Sequence, residues 1–337
     1  MANLMITKQC NLKCTYCFAN EFVNRQNDMM SYENFLKCLD FLMCDVNERI
    51  GIIGGEPTLH PNLKKMLVRL IDSPFSHVCL FTNGILLDRY FNELRNSKFQ
   101  ILINLNSPEM IGIKNFEHTF ENANIMINEL YMKEQVAFGL NVYSPDMNVG
   151  YIFDVLKELH QKKLRISVAV PNLDGDRNID PLDYFKQMKP MLQKIVITLL
   201  EMDVAPWFDC NYIPTCILDD SDRDIASKYM STLKRSNMMH TSPICQPVVD
   251  ILPNLHVVRC FGMSDYYKVS LFDFKDISSL KRHFSAKIDG LAYQIFPSEK
   301  CGECMDYKAG NCSGGCYAYR SSKMKKAEAA IKQEIYG

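Results

Sequence analysis

Three cysteines near the start of the chain, Cys10, Cys14 and Cys17, are spaced C-x3-C-x2-C, and Tyr16 stands just before the last of them. Closely spaced thiolates are soft ligands that select iron–sulfur clusters or zinc. Three of them suit three corners of a [4Fe–4S] cube and leave one iron open to a small molecule. A tetrahedral zinc site is the competing reading of the same spacing. The chain holds 14 cysteines in all, and eight follow residue 200: Cys210, Cys216, Cys245, Cys260, Cys301, Cys304, Cys312 and Cys316. The stretch from Cys301 to Cys316 reads C-x2-C-x7-C-x3-C, with Cys245-x14-Cys260 upstream. Gly302, Gly310, Gly314 and Gly315 would let the backbone wrap closely around a cluster. Cys38, Cys44 and Cys79 read as buried small hydrophobes. The N-terminus, MANLMITKQC, lacks the apolar core of an export signal, so this many cysteines point to metal or redox use rather than disulfides. Thiolate-bound iron in turn implies a reducing cytoplasm, with an anaerobe as its setting.

A second signal is Gly54–Gly55–Glu56–Pro57. In order and separation, the early cysteine array and this turn together resemble the radical S-adenosylmethionine (SAM) superfamily. The resemblance implies that Cys10, Cys14 and Cys17 bind a [4Fe–4S] cluster whose open iron chelates SAM. It implies that Gly54, Gly55 and Glu56 hold the SAM amino group. Thr82 and Asn83 resemble the family's TNG turn, with a structural role as the alternative. Asn104 or Asn106 with Ser107, and Asn141, stand at strand ends where the family contacts ribose or carboxylate; turn formation is the plainer role for them.

The later cysteines resemble the SPASM extension of radical SAM enzymes, which holds one or two auxiliary [4Fe–4S] clusters. The family spacing has five residues where this chain has seven, between Cys304 and Cys312, and a further cysteine beyond the position of Cys316. Family logic places Cys245, Cys260 and Cys316 on one cluster and Cys301, Cys304 and Cys312 on the other. Cys210 and Cys216 then supply the missing fourth ligands, or one of them serves as a catalytic hydrogen-atom donor.

The elements that position these groups follow from periodicity. Residues 1–170 alternate short apolar strands with amphipathic helices. Leu4–Thr7, Arg49–Ile53, His77–Phe81, Gln100–Leu105, Val136–Val142 and Leu164–Val170 read as strands. Ser31 caps a helix with Phe35, Leu39 and Leu42 on its apolar face. Further helices carry Leu63, Met66, Leu67 and Leu70, then Leu86–Asn96, then Phe116, Phe120, Ala123, Ile127 and Leu130, then Val149–His160. Six such units predict parallel strands with helices outside. The fold class expected is α/β, a partial (β/α)6 TIM barrel with a C-terminal Cys-rich SPASM-like auxiliary-cluster domain. Chemistry then belongs at the C-terminal ends of the strands. The expected domains are the barrel at 1–175, a linking helix and connector at 176–240, and the auxiliary-cluster domain at 241–337. Pro171–Arg177 reads as the barrel exit and Pro181–Met202 as a long helix. His60 reads as a packing or capping residue, with the SAM site as the alternative.

Net charge is −1 and no basic stripe is present, which excludes nucleic acid as an electrostatic partner. No apolar run approaches ~18 residues, so no membrane span is expected. No GxGxxG, Walker A, GxSxG or HExxH motif occurs. The resemblance implies an oxidoreductase that cleaves SAM reductively, draws its electron from an external flavodoxin- or ferredoxin-type donor, and abstracts a hydrogen atom from substrate. Its SPASM side favours a ribosomally made peptide or protein as substrate (RiPP maturation), through thioether or C–C crosslinking, epimerisation or oxidation. With the first strand beginning at about residue 4, no fused N-terminal leader-recognition domain is expected. A small-molecule dehydrogenase acting on a sugar or cyclitol is the alternative, and a non-enzymatic iron–sulfur or zinc scaffold is a third reading.

Overall fold

The computed structural model describes residues 1–17, 28–45, 49–170, 179–208, 213–217, 222, 224, 225, 227 and 244–336. Its frame is one sheet. Strands β1 (Ala2–Thr7), β2 (Ile50–Gly54), β3 (Val78–Thr82), β4 (Phe99–Asn104), β5 (Val136–Val142) and β6 (Lys163–Val168) pair in sequence order, all parallel. Helices cross between them, as alternating βα units require. This is the partial (β/α)6 barrel expected. The strands match the sequence reading to within two residues at most ends because each is a compact apolar run bounded by turn residues.

The helices form where the apolar stripe is clear. Ser31 Oγ accepts from the Asn34 N–H and starts the helix Tyr32–Leu42, which buries Phe35, Cys38, Leu39 and Leu42. Helix Leu63–Ile71 buries Leu63, Met66, Leu67 and Leu70. The helix expected over 86–96 is a 3-10 turn, Leu87–Tyr90, followed by one α turn, Phe91–Leu94. Helix Ile113–Asn124 runs on into a wider π turn, Ile125–Glu129.

The sheet extends beyond the six units in both directions. Helix Pro181–Glu201 crosses from β6 to a further parallel strand, β7 (Ala205–Phe208). On the other edge, β8 (Val249–Ile251) pairs parallel with β1, followed by antiparallel β9 (His256–Val258) and β10 (Val269–Ser270). The order is therefore β10-β9-β8-β1-β2-β3-β4-β5-β6-β7. The chain after residue 244 is stitched directly onto the strand that feeds the first cysteine loop. A buried pair fixes that seam: Asn3 Nδ2 on β1 donates to Asp250 Oδ1 on β8 at 2.7 Å.

Most of the core packs as one apolar body, running from β1 and its flanking helices to Tyr317, Ala318 and Tyr319 near the C-terminus. Cys38 is inside it, as expected, whereas Cys44 is exposed at the end of its helix and Cys79 is half-buried. Among the described residues no helix is long and apolar enough to cross a membrane.

Candidate active site and cysteine groups

The first cysteine loop leaves the C-terminal end of β1, and the turn Gly54–Gly55–Glu56 leaves the neighbouring end of β2. Backbone bonds clamp the two together: Gly55 N–H donates to Thr7 O at 2.9 Å and Glu56 N–H to Gln9 O at 2.7 Å. The contact is tight enough to exclude any side chain. A Cβ on Gly54 would lie 2.6 Å from Thr7 O, and one on Gly55 would lie 2.3 Å from Gln9 O and 3.0 Å from Cys10 Cβ. The two glycines stand here because backbone meets backbone, not because a turn needs a positive φ.

Glu56 is fully buried. Its Oε1 accepts from the Thr58 N–H at 3.0 Å, the Thr58 hydroxyl at 2.6 Å and the Thr82 hydroxyl at 2.8 Å, and Oε2 accepts from the Asn83 N–H at 2.7 Å. Burial pushes its pKa up and these donors pull it back. The Glu56 carboxylate thus ties the ends of β2 and β3 together. Thr82 is absorbed in the same brace, and Gly84, at φ +85°, closes the turn. Asn83 reaches the other way, donating from Nδ2 to Asn11 Oδ1 in the cysteine loop at 2.7 Å. His60 is buried in packing: Nε2 lies 3.0 Å from Met30 O and Nδ1 accepts from the Asn62 N–H.

Tyr16 carries the loop across the strand ends. Its hydroxyl donates to Asn106 Oδ1 at 2.5 Å and accepts from Asn141 Nδ2 at 3.2 Å. Asn141 Oδ1 accepts in turn from Arg165 Nη1 at 3.0 Å. The Tyr16 ring stacks on Tyr143 with centroids 5.0 Å apart. Asn106 and Asn141 are therefore brought to the cysteine loop. Ser107 starts the short helix Pro108–Ile111 without a side-chain cap bond. Asn104 Oδ1 is buried with no protein partner. Arg165 is the residue the sequence reading missed. Its signal was present in β6, where half-buried Arg165 and Ser167 alternate with buried Leu164, Ile166 and Val168.

The thiols of the first loop are half-buried. Burial pushes Cys10 up to about 12 and Cys14 up to about 11. The Leu12 N–H donates to Cys10 Sγ at 3.4 Å, as it would to a thiolate ligand. Three thiols held away from water, with a backbone donor aimed at one, fit a bound metal that supplies the missing positive charge.

The later cysteines fall into two groups. Cys216, Cys301, Cys304 and Cys312 line one cavity of about 160 Å³, beside Leu182 and Tyr307. Burial raises the Cys216 thiol, and the other three thiols raise it further. The Gly314 N–H donates to Cys312 Sγ at 3.3 Å. Cys245 and Cys316 share a hydrogen bond that pulls Cys245 below the ordinary thiol range, against burial and with help from Arg259. Arg259 Nη1 donates to Cys245 Sγ at 3.3 Å and Nη2 to Cys245 O at 2.9 Å. Cys260 stands next to Arg259 in sequence and acts on its charge. Among the described residues no disulfide joins these cysteines, and no three metal-binding side chains converge on a single ion position. A cubane differs from a single ion in taking each thiolate on a different iron. Cys210 lies outside the described residues.

Comparison with known proteins agrees with this geometry. Residues 4–130 match the model of the Radical SAM superfamily, and the chain carries a radical SAM domain. A probable GTP 3',8-cyclase of Methanococcus aeolicus is 24% identical over 240 residues, 69% of this chain and 71% of that protein. A probable GTP 3',8-cyclase of Methanococcus maripaludis is 34% identical over 94 residues, 28% of this chain. The chain spans about a third of the length of that relative (32%) and of several others like it. In fold, the chain is similar to the crystal structure of Streptococcus suis SuiB bound to S-adenosylmethionine, with TM-score 0.61 and 14% identity, over 94% of this chain and 72% of that one.

Proposed function

We propose that this chain is a radical SAM oxidoreductase that abstracts a hydrogen atom from a peptide or protein substrate, with two auxiliary iron–sulfur sites in its C-terminal region. The observation that carries the reading is the pairing of an early three-thiol loop with two later groups of thiols in one rigid sheet-based frame. Support for a peptide substrate comes from SuiB, whose structure bound to its precursor peptide SuiA is similar over 94% of this chain, with TM-score 0.60.

When bound, the cluster and SAM supply an electron and a cleavable sulfonium bond, which together give a 5′-deoxyadenosyl radical. The chain's own residues do the rest. Cys10, Cys14 and Cys17 offer three thiolates and leave one coordination position for SAM. Gly54 and Gly55 let the β2 turn sit flush on the loop, with Glu56 bracing it from behind. Tyr16 pins the loop over Asn106 and Asn141, at the strand ends where Asn104 and Ser107 also stand, and Arg165 reaches Asn141 from within β6. These polar groups hold the ribose and carboxylate of SAM or the substrate beside it. Cys216 with Cys301, Cys304 and Cys312 forms one auxiliary ligand set, and Cys245, Cys260 and Cys316 form the other, completed by Cys210. A low-potential flavodoxin- or ferredoxin-type protein delivers the electron, in a reducing cytoplasm.

The sequence match to probable GTP 3',8-cyclases favours a second reading, a nucleotide substrate. One experiment separates the two. The anaerobically reconstituted chain is given SAM, dithionite and either GTP or the cysteine-bearing peptides encoded beside its gene. Release of 5′-deoxyadenosine with a mass change in peptide supports the proposal. Turnover of GTP with every peptide unchanged overturns it.

A further inference from the structure

Among the described residues the two largest fully buried side chains are both arginines, Arg259 and Arg320. A guanidinium taken out of water is costly unless an anion stands beside it. Arg259 has Asp289, whose Oδ1 accepts from its Nε at 2.5 Å, and the Cys245 thiol. Arg320 has no carboxylate partner among the described residues. It donates to Ala292 O at 2.6 Å, Ile295 O at 3.3 Å, the Tyr307 hydroxyl at 3.0 Å and Ser313 O. Its Nε is buried with no partner at all. Both guanidinium carbons lie over the Tyr317 ring, at 4.7 and 4.8 Å from its centroid. Tyr317 follows Cys316, so both cations share one aromatic beside a cysteine of the second thiol group.

The carbonyls around Arg320 fix its direction but carry no full charge to balance it. Two of the groups it holds belong to the wall of the Cys301 cavity: Tyr307 lines it, and Ser313 lies between the lining residues Cys312 and Gly314, so the thiolate set there is the anion that loading brings beside Arg320. We propose that Arg320 and Arg259 are the fixed counter-charges of the two auxiliary sites, and that each raises the reduction potential of the cluster bound beside it. Arg320 serves the set with Cys216, Cys301, Cys304 and Cys312, and Arg259 the set with Cys245, Cys260 and Cys316. This rests on the auxiliary-cluster reading above. The physical ground is direct: one electron from a low-potential reductant adds one negative charge to an already anionic thiolate-bound cluster. A fixed cation nearby favours that reduced form. The Arg259 hydrogen bond to Cys245 Sγ acts in the same direction. Both are positioning residues, since neither touches the reacting bond.

The test uses the full chain, reconstituted anaerobically with iron and sulfide, as wild type, R320Q, R320K and R259Q. Iron per chain is measured first, then each reduced-cluster EPR signal is followed in a dithionite potentiometric titration. We expect R320Q to hold its iron while the reduced-to-oxidised ratio of one signal falls at least tenfold at the wild-type midpoint, about 59 mV for one electron. R320K, which keeps the charge, is expected to stay within threefold of wild type, and R259Q to move the other signal. Unmoved midpoints in R320Q and R259Q, with only a lower melting temperature, overturn the proposal and leave both arginines as carbonyl and thiol braces. If R320Q does not fold, R259Q decides by the same criterion. A wild-type chain that takes up only one cube's iron sinks the auxiliary-cluster reading itself, a result distinct from an unmoved potential in a loaded chain.

Discussion

Tyr16 and Asn106, 90 residues apart, meet in a hydrogen bond of 2.5 Å that fastens the cysteine loop to the end of β4. Asn141 on β5 donates to the same hydroxyl, so one side chain ties the loop to two strands. Removing the hydroxyl in Tyr16→Phe leaves both asparagines without that partner. A buried bond of this kind contributes about 1 kcal/mol, and an orphaned partner costs about as much again. We expect Tyr16→Phe to keep the ring stack on Tyr143, lower stability by about 1–3 kcal/mol in denaturant titration, and slow 5′-deoxyadenosine release from SAM. Wild-type kinetics with wild-type stability would show that the loop is held by its cysteines alone.

Gly55 tests the close approach of backbone to backbone. A methyl group there meets Gln9 O at 2.3 Å, and that atom belongs to the cysteine loop itself. Overpacking of this kind typically costs about 1–3 kcal/mol and is relieved by backbone shifts. The expected outcome for Gly55→Ala is a lower melting temperature together with loss of iron from the first site. Gly112→Ala is the control for substitution at a glycine, since nothing lies within 4 Å of its added Cβ; its φ of +84° adds strain but no clash.

The sequence made the barrel legible because β1 to β6 and their helices are local patterns: a short apolar run, a turn, an apolar stripe at helical spacing. The three-thiol loop was legible for the same reason, since its spacing lies within eight residues. What stayed hidden is what depends on distant pairing. Strand β8 is three residues long and gains its place only by lying against β1, some 247 positions away in the Asn3–Asp250 contact. Charged residues are rarely buried without partners, so no pattern in the sequence marks Arg259 and Arg320 as interior. Only the fold shows that both are enclosed. The Glu56 carboxylate is engaged with Thr58, Thr82 and Asn83, a brace that no spacing rule announces.

Asp250 gives the seam between β1 and β8 a pH dependence. Burial pushes its carboxyl up to about 7, with Asn3 and the Phe261 N–H pulling it back. A carboxyl raised above its unfolded value binds its proton more tightly in the folded chain. Its contribution is therefore fully present below about pH 4 and is lost as pH rises through about 7. The full swing is on the order of 4 kcal/mol. We expect Asp250→Asn, measured by denaturant unfolding from pH 4 to pH 8, to flatten that loss and to be the more stable form at pH 8. A wild-type profile with no fall across this range would show that the Asp250 carboxylate is accommodated at no cost.

On the auxiliary-cluster proposal, Cys216 is the fourth ligand at the 160 Å³ cavity. It comes from the segment after β7, whereas Cys301, Cys304 and Cys312 come from the C-terminal stretch, so the four meet only through the fold. Cys216 lines that cavity together with the other three thiols, and their charges raise it further above the ordinary thiol range. A hydrogen-atom donor must instead reach a substrate radical beside SAM, so the two roles for Cys216 predict different outcomes. The expected outcome for Cys216→Ser is loss of roughly four irons per chain, one cube, with the first site and its cleavage of SAM retained. If Cys216→Ser keeps every iron and instead traps an unquenched substrate radical in freeze-quench EPR, the thiol is the donor and the fourth ligand must be sought elsewhere.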